Sequence, residues 1–275
     1  MTVQLTVFGG GNMGAALLGG LVVSGWATAE ALAVVEPIEA RRLVLQDDFP
    51  GVSIAADPPA ATLGAVLAVK PGDVPSAAAA AGRAGARRVL SIAAGVRTGV
   101  IEAAMGGAQA EGDDRAAGIA VVRAMPNTPA LVGAGAAAIS PGRHAGDADL
   151  DWAAGILGAV GTVVRVPEHL LDAVTGLSGS GPAYLFLVVE ALVEGGVLAG
   201  LPRDVSAQLT TQLLMGSATL LARSGQSAEQ LRAAVTSPGG TTAAGLRALE
   251  RAGIRAAFLD AVVAATERSR ELGGQ

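Results

Sequence analysis

Apolar residues form short runs separated by helical-period segments along the first half of the chain, and follow a helical period alone along the second. Residues 3–8 are an apolar run that predicts a strand, and 13–24, after a glycine turn, predict a helix. Further runs at 32–35, 52–55, 66–69, 89–92, 119–124 and 134–139 are short enough to be strands covered on both faces, with a charged helix at 39–46. Strands alternating with helices predict βαβ units wound on both sides of a parallel sheet. The pattern changes near Pro167. Beyond it Leu185, Val188, Val189, Leu192 and Val193 share one helical face, and Val205, Leu209, Leu213 and Leu220 another. Gly195, Gly196, Gly200 and Gly216 would let such helices approach closely. Apolar residues on more than one face predict cover from a partner subunit. We therefore expect an α/β domain at 1–166 and an all-α domain at 167–275.

Composition narrows the chemistry. The chain has 275 residues, 51% hydrophobic but only 3% aromatic, so Ala, Val and Leu must fill the core by close approach. It has no cysteine, which excludes disulfides, thiolate metal sites and cysteine nucleophiles. Acidic residues outnumber basic ones 24 to 19, for a net charge of −5, which argues against nucleic-acid binding. Lys70 is the only lysine, and His144 and His169 lack an acidic neighbour to orient them, so we expect neither histidine catalysis nor a metal site. A mean hydropathy of +0.49 raises the question of a membrane. The uncharged stretch 124–142 is broken by Pro126, Pro129 and Pro141, and 205–222 carries Gln208, Thr210, Thr211, Gln212 and Ser217; neither reads as a span. No cationic side chain precedes Arg41, so the start lacks a signal peptide's basic region. We expect a cytoplasmic homo-oligomer with no membrane partner.

Gly9-Gly10-Gly11-Asn12-Met13-Gly14 leaves the first strand and opens a helix, fitting G-x-G-x-x-G through Gly9, Gly11 and Gly14. The first glycine permits the turn, the second lets a pyrophosphate reach the backbone, and the third lets helix and strand pack closely. The helix N-terminus then favours the phosphates, which predicts dinucleotide binding. Glu36 ends the second strand, where an acid takes the ribose 2′-hydroxyl of NAD, whereas Arg41 and Arg42 suit the 2′-phosphate of NADP. NADH and NADPH both stay open, as does a merely solvated face. Lys70 follows the 66–69 run in Ala68-Val69-Lys70-Pro71, at the strand end that faces the ligand crevice. In Arg123-Ala124-Met125-Pro126-Asn127-Thr128-Pro129 two prolines hold Asn127 and Thr128 in a stiff loop, where they would pair with a nicotinamide carboxamide or form an ordinary turn. Two small-residue segments precede helices in the second half: Ser178-Gly179-Ser180-Gly181-Pro182 and Thr236-Ser237-Pro238-Gly239-Gly240-Thr241-Thr242. Both suit a small carboxylate, or plain N-capping by Ser180 and Thr241 or Thr242.

Together, Gly9–Gly14, Leu67-Ala68-Val69-Lys70-Pro71, 123–129, 172–184 and 236–242 resemble the pyrroline-5-carboxylate reductase family in order and spacing over nearly the whole chain. The resemblance implies a Rossmann domain followed by a helical domain that interlocks into dimers, assembled in many members into pentamers of dimers. It implies reduction of Δ1-pyrroline-5-carboxylate to L-proline with NADPH or NADH, the last step of proline biosynthesis. By position, Gly9–Gly14 would hold the pyrophosphate, and Ala68, Val69, Lys70, Pro71 and the turn Ala93, Ala94, Gly95 would border the nicotinamide side. Asn127 would lie near the cofactor. Ser180, Gly239, Gly240 and Thr241 would grip the substrate carboxylate; Thr242, the catalytic candidate, would hydrogen-bond the ring nitrogen, with Glu168 as a further contact to it. Many members carry Asn after the third strand, where this chain reads Ala55-Ala56-Asp57-Pro58, so the adenine side differs. A 3-hydroxyacid dehydrogenase of similar plan would need a lysine in the second domain, which this chain lacks. A non-catalytic NADP sensor would leave 236–242 without a purpose.

Overall fold

The computed structural model describes residues 3–106 and 118–274. Its strands are β1 (Val3–Phe8), β2 (Leu32–Val35), β3 (Ser53–Ala55), β4 (Thr62–Leu67), β5 (Arg88–Ser91), β6 (Ala120–Met125), β7 (Gly135–Pro141) and β8 (Gly161–Arg165). Interleaved with them are α1 (Asn12–Val23), α2 (Glu39–Asp48), α3 (Val74–Arg83), α4 (Thr98–Gly106) and α5 (Asp147–Gly158). Every later element is helical: α6 (Leu171–Val174), a π turn at Thr175–Gly179, α7 (Gly181–Leu198), α8 (Arg203–Ser224), α9 (Ala228–Ala234), α10 (Thr241–Arg251) and α11 (Ile254–Gly273). Packing groups Met1–Ser180 with Ala264–Gln275 in one compact unit, and Gly181–Val263 in a second.

In the first unit the eight strands lie in the order β3-β2-β1-β4-β5-β6-β7-β8. The order reverses between β1 and β4, which opens a crevice at the carboxyl ends of those two strands. Leu5, Val7, Val34, Val66 and Leu90 are buried under Leu17, Leu18 and Leu21 of α1, while Ala77, Ala78 and Ala81 of α3 cover the other face. The sheet is parallel but for β7, which runs antiparallel to β6 and then parallel to β8. The periodicity predicted β7 but says nothing of direction. It also missed β8, a five-residue edge strand, although Thr162, Val163 and Val164 are β-branched; its residues are half-buried or exposed.

The run at 66–69 is corrected to Thr62–Leu67. Thr62 is hidden because its hydroxyl accepts from Thr6 Oγ1 (2.9 Å) and donates to the Gly64 carbonyl (2.9 Å), so a strand begins on a polar residue that looks like loop.

The second unit is inside-out. No residue of α7 is buried, and α8 buries only Ser206 and Thr210. Ser206 Oγ donates to the Val193 carbonyl (2.9 Å) and sits where a Cβ on Gly196 would fall, so small and polar groups make the α7–α8 contact. Gly195 and Gly216 face open space, while Phe186, Leu187, Leu209 and Leu213 stand exposed. Residues Glu168–Leu198 are long and apolar enough to cross a membrane by length and composition, the one such helix among the described residues. On the polar side Arg255 pairs with Glu250 (2.8 Å), and that bond holds the Glu250 carboxyl below its ordinary range although both are exposed.

Candidate active site

The glycine turn is built by close approach. Gly9 has φ +100°, and a Cβ on it would meet the Ala68 carbonyl oxygen beyond β4. A Cβ on Gly14 would fall on the Gly9 carbonyl oxygen, so α1 lies against the end of β1 only because position 14 has no side chain. Gly11 differs, with no atom of the described residues within 4 Å of a Cβ placed there. It is the N-cap of α1 with no side-chain cap, and the first turn holds no acidic residue. The N–H groups of Asn12 and Met13 therefore face an open space beside a helix's positive end. That donor set fits a dinucleotide pyrophosphate.

Glu36 and the two arginines brace this turn. The Glu36 carboxylate, 6% exposed, accepts from the N–H groups of Gly10 and Ile38, both at 2.9 Å. Arg41 Nε donates to the Gly10 carbonyl (2.6 Å), and Arg42 Nη1 to the carbonyls of Glu36 (3.0 Å) and Pro37 (2.8 Å). Glu36 is thus no solvated face group; the Gly10 peptide is clamped by an anion at its N–H and a cation at its carbonyl. The Nη groups of Arg41 have no partner among the described residues.

Across the crevice Lys70 is exposed beyond β4, and Pro71 starts a helical turn. Pro71, Ala94, Gly95 and Ser180 line a cleft of about 760 Å³ with Arg97 and Arg268 as its charged residues. No carboxylate among the described residues lines it, although the chain is net acidic. Among its lining hydroxyls, Thr175 Oγ1 donates to the Leu171 carbonyl (2.8 Å) and Ser269 Oγ to Asp172 (2.7 Å). Ser180 Oγ has no partner among the described residues.

Asn127 and Glu168 each have partners within the protein. Asn127 Oδ1 accepts from Ala136 N–H (2.8 Å) and Nδ2 donates to the Ser178 carbonyl (3.1 Å). Glu168 accepts from the backbone and hydroxyl of Thr98, at 2.8 and 3.0 Å, and from Arg123 Nη1 at 3.3 Å. Arg123 is nearly buried, its side chain 7% exposed, and was not singled out as a site residue. A charged residue inside an apolar strand run was the available signal, since a buried cation requires a partner.

In the second unit, a turn with Gly239 at φ +72° and a Gly240 N–H to Ser237 carbonyl bond (3.1 Å) leads into α10. The N-cap is Gly240, with no side-chain cap bond. Neither Thr241 nor Thr242 is the capping hydroxyl, and both lack a hydrogen-bond partner among the described residues. The first turn carries no acidic residue, so α10 starts as an anion-receptive N-terminus with two free hydroxyls.

Comparison with known proteins places the chain as a whole. Residues 168–272 match the family model described as pyrroline-5-carboxylate reductase dimerisation, and residues 4–95 match that of NADP oxidoreductase, coenzyme F420-dependent. The chain is 44% identical to a pyrroline-5-carboxylate reductase of Synechocystis over 99% of both chains. It is 42% identical to one of Mycobacterium tuberculosis over 98% of this chain and 96% of that one. A pyrroline-5-carboxylate reductase structure from Coxiella burnetii superposes with a TM-score of 0.88 at 34% identity, covering 99% of both chains. A Plasmodium falciparum pyrroline carboxylate reductase with NADP bound gives 0.81 at 29% identity, covering 98% of each.

Proposed function

Because the chain belongs to the pyrroline-5-carboxylate reductase family, we propose how its own residues divide the work of that reaction. The enzyme reduces Δ1-pyrroline-5-carboxylate to L-proline with NAD(P)H, completing proline biosynthesis. NAD(P)H supplies the hydride to the ring carbon of the imine. The protein supplies position and electrostatics, since a protonated imine is electrophilic without a strong general acid.

In this reading the open N–H groups of Asn12 and Met13 hold the pyrophosphate, and Gly9, Gly11 and Gly14 shape the turn that lets it approach. Ala68, Val69, Lys70, Pro71 and the turn Ala93, Ala94, Gly95 border the nicotinamide ribose. Ser180 of the first unit, and Gly239, Gly240 and Thr241 of the second, are each read as carboxylate-binding groups, and the Thr242 hydroxyl as the group that orients the ring nitrogen. Glu168, whose oxygens are already engaged by Thr98 and Arg123, is assigned to holding its own segment rather than to the nitrogen. Residues 1–166 are then the nucleotide-binding domain and 167–275 the substrate and dimerisation domain. The supporting observation is that the hydroxyls of Ser180, Thr241 and Thr242 have no partner among the described residues while those of Thr175 and Ser269 are bonded.

Oxidation of NADH and NADPH, followed by absorbance with Δ1-pyrroline-5-carboxylate and with proline identified as product, tests this reading. Binding of both cofactors without oxidation would favour the sensor. The same assay separates the roles of Glu36 and Arg41. A unit charge about 4 Å away in water-like surroundings is worth about 1 kcal/mol, or about fivefold in affinity. Glu36→Gln should raise the NADPH-to-NADH ratio of kcat/KM by about that factor, by removing the anion that repels a 2′-phosphate. An unchanged ratio would discard Glu36 as a selector.

The enzyme oligomerises through its helical half, the part matched as a dimerisation domain. We assign the exposed apolar face of α7 and α8 to a second copy of the chain rather than to lipid, and place the enzyme in the cytoplasm as a pentamer of dimers. Light scattering should then read ten times the 26.9 kDa chain mass. Twice that mass would leave a dimer; an unassociated chain would overturn the assignment.

A further inference from the structure

Arg123, Met125 and Asn127 alternate along one extended stretch, so their side chains share a side. Asn127 keeps φ −134° and ψ 168°, so the stretch continues past the end of β6. Each of the three holds the segment from Glu168 to Ser180. Arg123 pairs with Glu168 at its start. Met125 Cε lies 2.5 Å from where a Cβ on Gly179 would be, so this side chain packs directly on the Gly179 backbone. Asn127 Nδ2 donates to the Ser178 carbonyl (3.1 Å).

The Asn127 bond meets a specific need. A helical carbonyl is bonded by the N–H four residues on, and four residues after Ser178 comes Pro182, which has no N–H. The chain here widens into the π turn, closed by the Ser180 N–H to Thr175 carbonyl bond (2.8 Å). Asn127 supplies the donor that the proline lacks, while its Oδ1 is held by Ala136 N–H (2.8 Å). The amide is fixed at both ends, and the carbonyl it holds lies two residues before Ser180, the one uncommitted hydroxyl lining the cleft among the described residues.

We propose that Asn127 is a positioning residue for Ser180: by tying the π turn to the end of β6 it sets where the Ser180 hydroxyl points in the cleft. This reassigns Asn127 from the cofactor to the substrate side of the reaction, and it rests on the reading of Ser180 as a substrate group.

A double-mutant cycle tests it. Asn127→Asp is nearly isosteric, keeps the acceptor for Ala136 and removes the donor to Ser178. Alone it should raise KM for Δ1-pyrroline-5-carboxylate about tenfold, the scale of one lost hydrogen bond, with the NADPH dissociation constant unchanged within about twofold. Added to Ser180→Ala it should change KM by less than about twofold, because the residue it positions is gone. Additive losses would overturn the proposal, as would weaker NADPH binding at unchanged substrate KM, which marks a direct cofactor contact. A lowered melting temperature with unaltered kinetics would reduce Asn127 to a brace and overturn it too. A silent Ser180→Ala would remove the reading of Ser180 and the proposal with it, whereas a damaging Ser180→Ala with additive Asn127→Asp removes the proposal alone. Asn127→Ser, a shorter hydroxyl donor, carries the same cycle if Asn127→Asp does not fold.

Discussion

Gly14→Ala should weaken NAD(P)H binding on the order of 100-fold, the scale of one or two lost hydrogen bonds to a charged group. The added methyl falls on the Gly9 carbonyl oxygen, a backbone atom with no freedom to yield. Gly9 is itself fixed, its N–H on the Val35 carbonyl (2.9 Å) and its Cα against the Ala68 carbonyl. Helix α1 must therefore move off β1, and the N–H groups of its first turn move with it. Overpacking of this kind also destabilises by about 1–3 kcal/mol. Gly11→Ala is the comparison: its methyl meets no protein atom within 4 Å, so stability should hold while cofactor affinity falls. Fluorescence titration with NADPH and a thermal melt read both. A Gly14→Ala protein that binds NADPH like the parent would show that the turn does not hold the cofactor.

Thr242→Ala should lower kcat/KM by about 100-fold while the NADPH dissociation constant stays within about twofold. Its hydroxyl is not the cap of α10, so its removal deletes no bond that the helix needs. Loss of stability therefore cannot explain a loss of rate. If the hydroxyl orients the ring nitrogen during hydride transfer, the loss appears mainly in kcat; if it only helps to bind substrate, it appears in KM. Unchanged turnover would end the catalytic role of Thr242.

Much of this was legible in the sequence because it depends on local constraints. A strand, three spaced glycines and a helix can be read from residues 3–24, since close approach at Gly9 and Gly14 leaves no other residue possible. The apolar surplus of α7 and α8 was legible for the same reason: a helix apolar on several faces needs cover. Other features depend on partners distant in sequence. The direction of β7 is set by its pairing with β6, and the start of β4 by Thr6 lying opposite Thr62. Glu36 could be read only as a choice between ribose and solvent, because its bond to Gly10 spans 26 positions. Glu168 was given a ligand only by the resemblance and Asn127 by its loop and the resemblance; their bonds to Ser178, Ala136, Thr98 and Arg123 span too many positions to be read locally. The absent N–H of Pro182 was the one local sign that a carbonyl near Ser178 would need an outside donor.

Helix α11 runs from Ile254 to Gly273, but from Ala264 onward it packs with the unit that contains the glycine turn. That unit is therefore discontinuous, with the whole of Gly181–Val263 inserted between its two pieces. On a ribosome the sheet emerges first, but the wall of the cleft that carries Arg268 emerges after the inserted helices. The nucleotide-binding unit is the first to be started and the last to be completed, so a nascent chain holds a full helical insert before it holds a finished cleft.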